Sequence, residues 1–89
     1  MKSILTQDRN IVIDYDKVTA FAVVPDWHEN EKEYVLLAHT GGTHFIVGRF
    51  DDDDMAQSVM FDIITTFAAN NDGYVYYVPE PDGEGLTSE

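Results

Sequence analysis

The sequence predicts an α+β domain, a curled antiparallel sheet of five or six strands packed by one long helix. Three observations carry that expectation. Short runs rich in β-branched and aromatic residues, separated by turn-forming residues, fill the first half of the chain. Two of these runs are joined by Gly41-Gly42 alone, a link suited to the positive φ of tight hairpin turns. After Asp51-Asp52-Asp53-Asp54, one stretch sets Ala56, Val59, Met60, Ile63 and Phe67 within a single helical stripe, broadened by Ile64.

The elements follow in order. Residues 2–6 hold a short β-compatible core, Ile4-Leu5-Thr6, and Gln7-Asp8-Arg9-Asn10 reads as a turn. Residues 11–15 form a second strand with Ile11, Ile13 and Tyr15 on one side of the pleat. Asp16-Lys17 is a bend, and residues 18–24, almost wholly apolar, are a third strand closed by Pro25-Asp26. Residues 26–33, which hold Trp27 and the charged run His28-Glu29-Asn30-Glu31-Lys32-Glu33, read as a polar loop. Residues 34–40 and 43–50 make the hairpin, with Thr40 against Thr43, Ala38 against Phe45 and Leu36 against Val47. Gly48 inside its second strand marks a bulge or a close backbone approach.

The helix spans residues 53–69 in this reading. Asp51, Asp52, Asp53 and Asp54 are its capping residues, because carboxylates accept from the free N–H groups of a first turn and complement the helix dipole. A calcium loop would need alternate-residue spacing and a distant Glu, which this run lacks. Asn70-Asn71-Asp72-Gly73 tolerates left-handed φ and stops the helix, and residues 74–78 are a last strand ended by Pro79. Residues 1–79 are one domain, and 80–89 an acidic tail expected to be disordered. Sequential hairpins favour a meander, and a late helix followed by one strand resembles pleckstrin-homology-like architecture.

Composition narrows the function. Seventeen acidic against five basic residues give a formal charge of −12. Phosphate recognition needs Lys and Arg to release counterions, so direct nucleic-acid binding is not expected. Repulsion disfavours anionic membranes, and no stretch approaches the ~20 apolar residues of a membrane span. The opening residues hold too short an apolar segment for a signal peptide, and there is no cysteine for a disulfide framework or thiolate metal site. The expectation is a cytoplasmic protein. Both faces of the hairpin are apolar: Val35, Leu37 and Ile46 lie opposite Leu36, Ala38 and Phe45. One helix cannot cover two faces, so either the sheet closes into a partial barrel or a second subunit covers the remainder, and a homodimer is favoured.

Candidate sites are few. The hairpin register sets His39 across from His44, with Cβ atoms roughly 5 Å apart. Such a pair could share a metal ion if His28 or a carboxylate arrived as a third ligand. Phe61 lies off the apolar stripe, beside Gln57, Thr65 and Ala68, and is either covered by the last strand or exposed to a partner. Tyr74, Tyr76 and Tyr77 are near it in sequence, and Trp27 stands in its charged loop. These five aromatics are the candidate partner-binding residues, since aromatic anchors dominate interface energetics. Ser3, Ser58 and Ser88 occur without a glycine elbow or an evident base, and no Gly-rich phosphate loop precedes a helix. The chain therefore reads as no enzyme, with no cofactor.

Ser3-Ile4-Leu5-Thr6-Gln7-Asp8, then Asn10-Ile11-Val12 and Tyr15-Asp16-Lys17-Val18, resembles the opening of small uncharacterised proteins of Gram-positive bacteria and their phages and prophages. Val47-Gly48-Arg49-Phe50 before an acidic helix start, the alanine at Ala56, and Tyr77-Val78-Pro79-Glu80 resemble their middle and end. The segment 26–33 and the four-Asp run depart from that pattern. The resemblance implies a bacterial, prophage-linked origin and brings no activity or site residue with it. The leading functional expectation is a non-enzymatic protein-interaction module. The alternatives are an acidic decoy that occupies a basic nucleic-acid-binding protein, and a metal-binding protein using His39 and His44.

Overall fold

A computed structural model describes residues 1–80. The chain is α+β with one helix, but its strands form two three-stranded sheets rather than one curled meander. Strands β1 (Ser3–Leu5), β2 (Val12–Asp14) and β6 (Val75–Tyr77) make the first, in the order β2-β1-β6. Strands β3 (Ala20–His28), β4 (Glu31–Thr40) and β5 (Thr43–Phe50) make the second, in sequence order. The pleckstrin-homology-like arrangement is thereby overturned. Two features separate the sheets, one local and one long-range. Tyr15–Lys17 is a 3-10 turn capped by Asp14, whose carboxylate accepts from Asp16 N–H at 3.1 Å, and it ends β2 before β3 can pair with it. The last strand then returns to β1 in parallel, Ser3 beside Val75 and Leu5 beside Tyr77.

The segment 26–33 is not a loop. β3 runs through Pro25 to His28 and β4 begins at Glu31, so a two-stranded ribbon turns at Glu29-Asn30, with Glu29 at φ 57°. Pro25 is tolerated because β3 is an edge strand, where a missing N–H breaks no second ladder. Polar composition suggested a loop, yet cross-strand pairs hold the ribbon: Lys32 lies 5.2 Å from the ring centres of both Trp27 and Tyr34.

The Gly41-Gly42 hairpin keeps the expected register from Thr40–Thr43 to Leu37–Ile46. Leu36 then faces Gly48, not Val47, which is the extra residue of a bulge. The bulge shifts every later side chain to the other face. Phe50 consequently enters the core and Arg49 turns outward beside Val35. Gly48 is needed where it is: a Cβ there would stand 3.0 Å from the Phe50 ring and 3.2 Å from the Gln7 amide nitrogen.

Helix α1 (Asp53–Ala68) starts as the carboxylate run requires. Asp52 alone is the cap, its carboxylate accepting from Met55 N–H at 2.7 Å; Asp53 and Asp54 lie in the first turn and Asp51 precedes the cap. Asn70, at φ 62°, ends it. Ala56, Val59, Ile63 and Phe67 are buried on Leu36, Ala38, Val47 and Phe50 of the second sheet, and Ile4, Ile13 and Tyr76 from the first sheet, with Val78 just after β6, complete the core. The tail expected over 80–89 lies, beyond Glu80, outside the described residues.

Candidate interaction surface

Strand alternation gives the second sheet two faces, and the helix covers one. Cross-strand pairs Ala20–His39, Ala22–Leu37 and Val24–Val35, continued by His39–His44, Leu37–Ile46 and Val35–Arg49, assign the side chains of the other. Ala20, Ala22, Val24, Val35, Leu37 and Ile46 form its apolar centre. None of the six belongs to the core cluster or packs against it. Val35 is nonetheless only 4% exposed, so these residues pack on one another, while Ile46 at the β5 edge is 43% exposed. The sequence expectation of a second apolar face, on Val35, Leu37 and Ile46, agrees with this arrangement. No element among the described residues closes it into a barrel.

The two ends of this face differ in chemistry. At one end His39 and His44 lie side by side as the register requires, ring centres 5.6 Å apart and planes inclined by 49°. The third ligand is missing: no group of three or more His, Cys, Asp or Glu among the described residues could hold a metal ion. His28 cannot serve, because it pairs with Glu31 at the ribbon end, eight positions along β3 from Ala20 beside His39. At about 3.3 Å per residue that is roughly 26 Å.

At the other end the outward turn of Arg49 creates an ion cluster. Its guanidinium donates to Asp26 at 2.9 Å and lies 3.6 Å from Glu33, and His28 Nε2 lies 3.0 Å from Asp26 and 3.7 Å from Glu33. The Arg49 hydrogen bond holds the Asp26 carboxyl below the usual carboxylate range, aided by His28 and opposed by partial desolvation. Glu31, opposite His28, adds a third carboxylate. This cluster was missed in the sequence because 26–33 read as a loop. Continuing the hairpin pairing past Pro25 would have found it, since Asp26 then meets Glu33 and His28 meets Glu31.

The candidate aromatics do not share a surface. Phe61 is 57% exposed on the outward face of α1, and its neighbour Thr65 donates to the Phe61 carbonyl. Tyr76 of β6 is 7% exposed and its hydroxyl donates to Asp62 on the helix at 2.5 Å, so Tyr76 is no surface anchor. Tyr74 meets Phe67 edge-on with ring centres 6.1 Å apart. Tyr77 is exposed on the outer side of the first sheet, with Arg9 5.7 Å from its ring centre. Trp27 is exposed on the ribbon. Among the described residues, acidic side chains stand at the helix start, on the ribbon, at the Asp14–Asp16 turn and at Asp62.

No protein-family model, curated protein or solved structure matches this chain. No helix among the described residues is long and apolar enough to cross a membrane. The outer face of the second sheet joins apolar residues from three strands outside the core, and the outer side of the first sheet carries a shorter row of this kind, Val12, Leu5 and Tyr77.

Proposed function

We propose that the chain is a non-enzymatic protein-interaction module whose docking surface is the outer face of β3, β4 and β5. The observation that carries this reading is an apolar patch around Leu37 and Ile46, beside the buried Val35, that lies outside the contiguous core cluster. Polar groups frame it at both ends, the pattern of an interface with an apolar centre and a polar rim. Neither end assembles a nucleophile with a base. The cytoplasmic, bacterial and prophage setting is part of the proposal and rests on the composition and the sequence resemblance.

A photo-crosslinking residue placed at position 46, and separately at 61 and 27, tests the surface. Cross-linking from position 46 in cells that express the protein, with little from 61 or 27, is the expected result. Adducts from Phe61 or Trp27 alone would move the docking surface to the helix or the ribbon and overturn the reading.

A further inference from the structure

We infer that the occupant of this face is a second copy of the chain, packed sheet on sheet about a two-fold axis that runs across the strands. The inference rests on the docking surface proposed above and adds the partner and its orientation. Two sheets related by a two-fold axis and packed face to face have that axis in the plane between them, so only two simple arrangements exist. With the axis along the strands, each end meets its own copy. Asp26, Glu31 and Glu33, balanced by one guanidinium and the His28 imidazole that already contacts Asp26 and Glu33, would then face the same three carboxylates at close range, an arrangement opposed by like-charge repulsion. With the axis across the strands, the imidazole end of each copy lies over the carboxylate end of the other. An imidazole N–H donates to a carboxylate in either protonation state, so this juxtaposition is favourable without any change of charge.

The register makes the second arrangement specific. β4 is the central strand, and an axis crossing it at the level of Leu36 sets Leu37 over the partner copy's Val35 and His39 over its Glu33. The apolar centres then coincide and both polar ends are paired. Three strands about 4.8 Å apart and eight residues long give a footprint of about 14 × 26 Å. That corresponds to roughly 700–1,000 Å² buried in total, at the low end for specific association, so the dimer is a weak, concentration-dependent one. A charge of −12 on each copy opposes it at low ionic strength. At about 0.15 M salt the Debye length of about 8 Å screens that repulsion while leaving contact pairs largely intact.

The chain has no cysteine, so engineered thiols report cleanly. The test combines sedimentation equilibrium of the purified protein up to millimolar concentration with disulfide trapping. The expected results are a mass that rises from monomer to dimer, loss of the dimer in Ile46→Lys and its retention in Phe61→Lys. Mixing His39→Cys protein with Glu33→Cys protein should give the mixed disulfide, with little self-linking of His39→Cys. Self-linking of His39→Cys in place of the mixed product would overturn the orientation. A monomer at every concentration would overturn the inference, and adducts from position 46 to a different chain would show that the docking surface stands without it.

Discussion

The side-chain amide of Gln7 pairs with the peptide group of Arg49 as a neighbouring strand would. Arg49 N–H donates to the amide oxygen at 2.9 Å, and the amide nitrogen donates to the Arg49 carbonyl at 3.0 Å and to that of Pro79 at 3.1 Å. The Gln7 backbone N–H also donates to Val47 at 2.8 Å, so one residue joins the first sheet to the bulged edge of β5. Replacing it by alanine leaves partly buried peptide groups without these partners, and Gln7→Ala should lose about 1–3 kcal/mol of stability. Gln7→Glu keeps the acceptor but sets a carboxylate against two carbonyls. It should be destabilised at neutral pH and recover in acid, where the protonated carboxyl can donate. Urea unfolding of both variants measures the effect, and unchanged midpoints would remove this pair from the account of how the sheets are joined.

Gly48 lies beside that junction, and its missing side chain is a packing requirement. A methyl group there meets the buried Phe50 ring at 3.0–3.1 Å. Gly48→Ala is expected to cost about 1–3 kcal/mol by overpacking, whereas Gly42→Ala, with open space around it, should stay within about 0.5 kcal/mol of wild type. Thermal unfolding of the pair separates the two cases.

The bulge also explains which parts of the fold were legible in the sequence. Helical spacing from Ala56 to Phe67 and the Gly-Gly hairpin follow from local rules, and both stand in the structure within a residue or so. His39 opposite His44 was legible for the same reason. Leu36 against Val47 failed because Val47 is an extra residue, and Gly48 could mark the bulge without saying on which side of it the count shifts. The return of Val75 to lie beside Ser3 is a long-range pairing with no local signature, so two sheets could not be told from one. For the surface, Val35, Leu37 and Ile46 were readable from alternation. Its acidic end was not, because a run of charges in a ribbon resembles a loop when composition alone is weighed.

The four consecutive aspartates separate by role. Asp52 accepts from Met55 N–H, and Asp51 makes no comparable contact with the helix. Asp52→Ala should therefore destabilise the protein by about 0.5–2 kcal/mol, while Asp51→Ala falls within experimental error of wild type. Equal losses from both variants would show that the charge of the run matters more than the cap.

Tyr76 ties β6 to α1 through its bond to Asp62. Burial, then the hydrogen bond to Asp62 and its negative charge, push the phenol well above its ordinary range. The folded-state pKa is the higher one, so the contribution is fully present below about pH 10, where an unfolded tyrosine begins to ionise. As the pH rises further the unfolded chain releases its proton while the folded one holds it, and stability falls. Tyr76→Phe should cost about 1.5 kcal/mol at neutral pH and flatten that alkaline decline. Denaturant titrations at neutral and alkaline pH test both parts, and an unchanged alkaline slope would show that other groups produce it.

Asp26 gives the opposite sign at the acid end. Its folded-state pKa is lowered by the Arg49 hydrogen bond, so its contribution is present above the ordinary carboxylate range near pH 4 and is lost as the pH falls through the lower folded value. The group is exposed, so the effect is modest and shrinks with added salt. It is also local, because Asp26 clasps the ribbon to Arg49 at the root of the turn that carries Trp27. Trp27 is the only tryptophan, which makes its fluorescence a reporter of that ribbon. Acid titration of wild-type protein should show a salt-sensitive change in Trp27 emission before global unfolding. Asp26→Asn and Arg49→Met should show much of that change already at neutral pH and little further response to acid. If both variants kept the wild-type acid transition, the ribbon would be held by the Lys32 contacts to Trp27 and Tyr34 alone, and the carboxylate end of the outer face would have no structural duty beyond the contact it offers a partner.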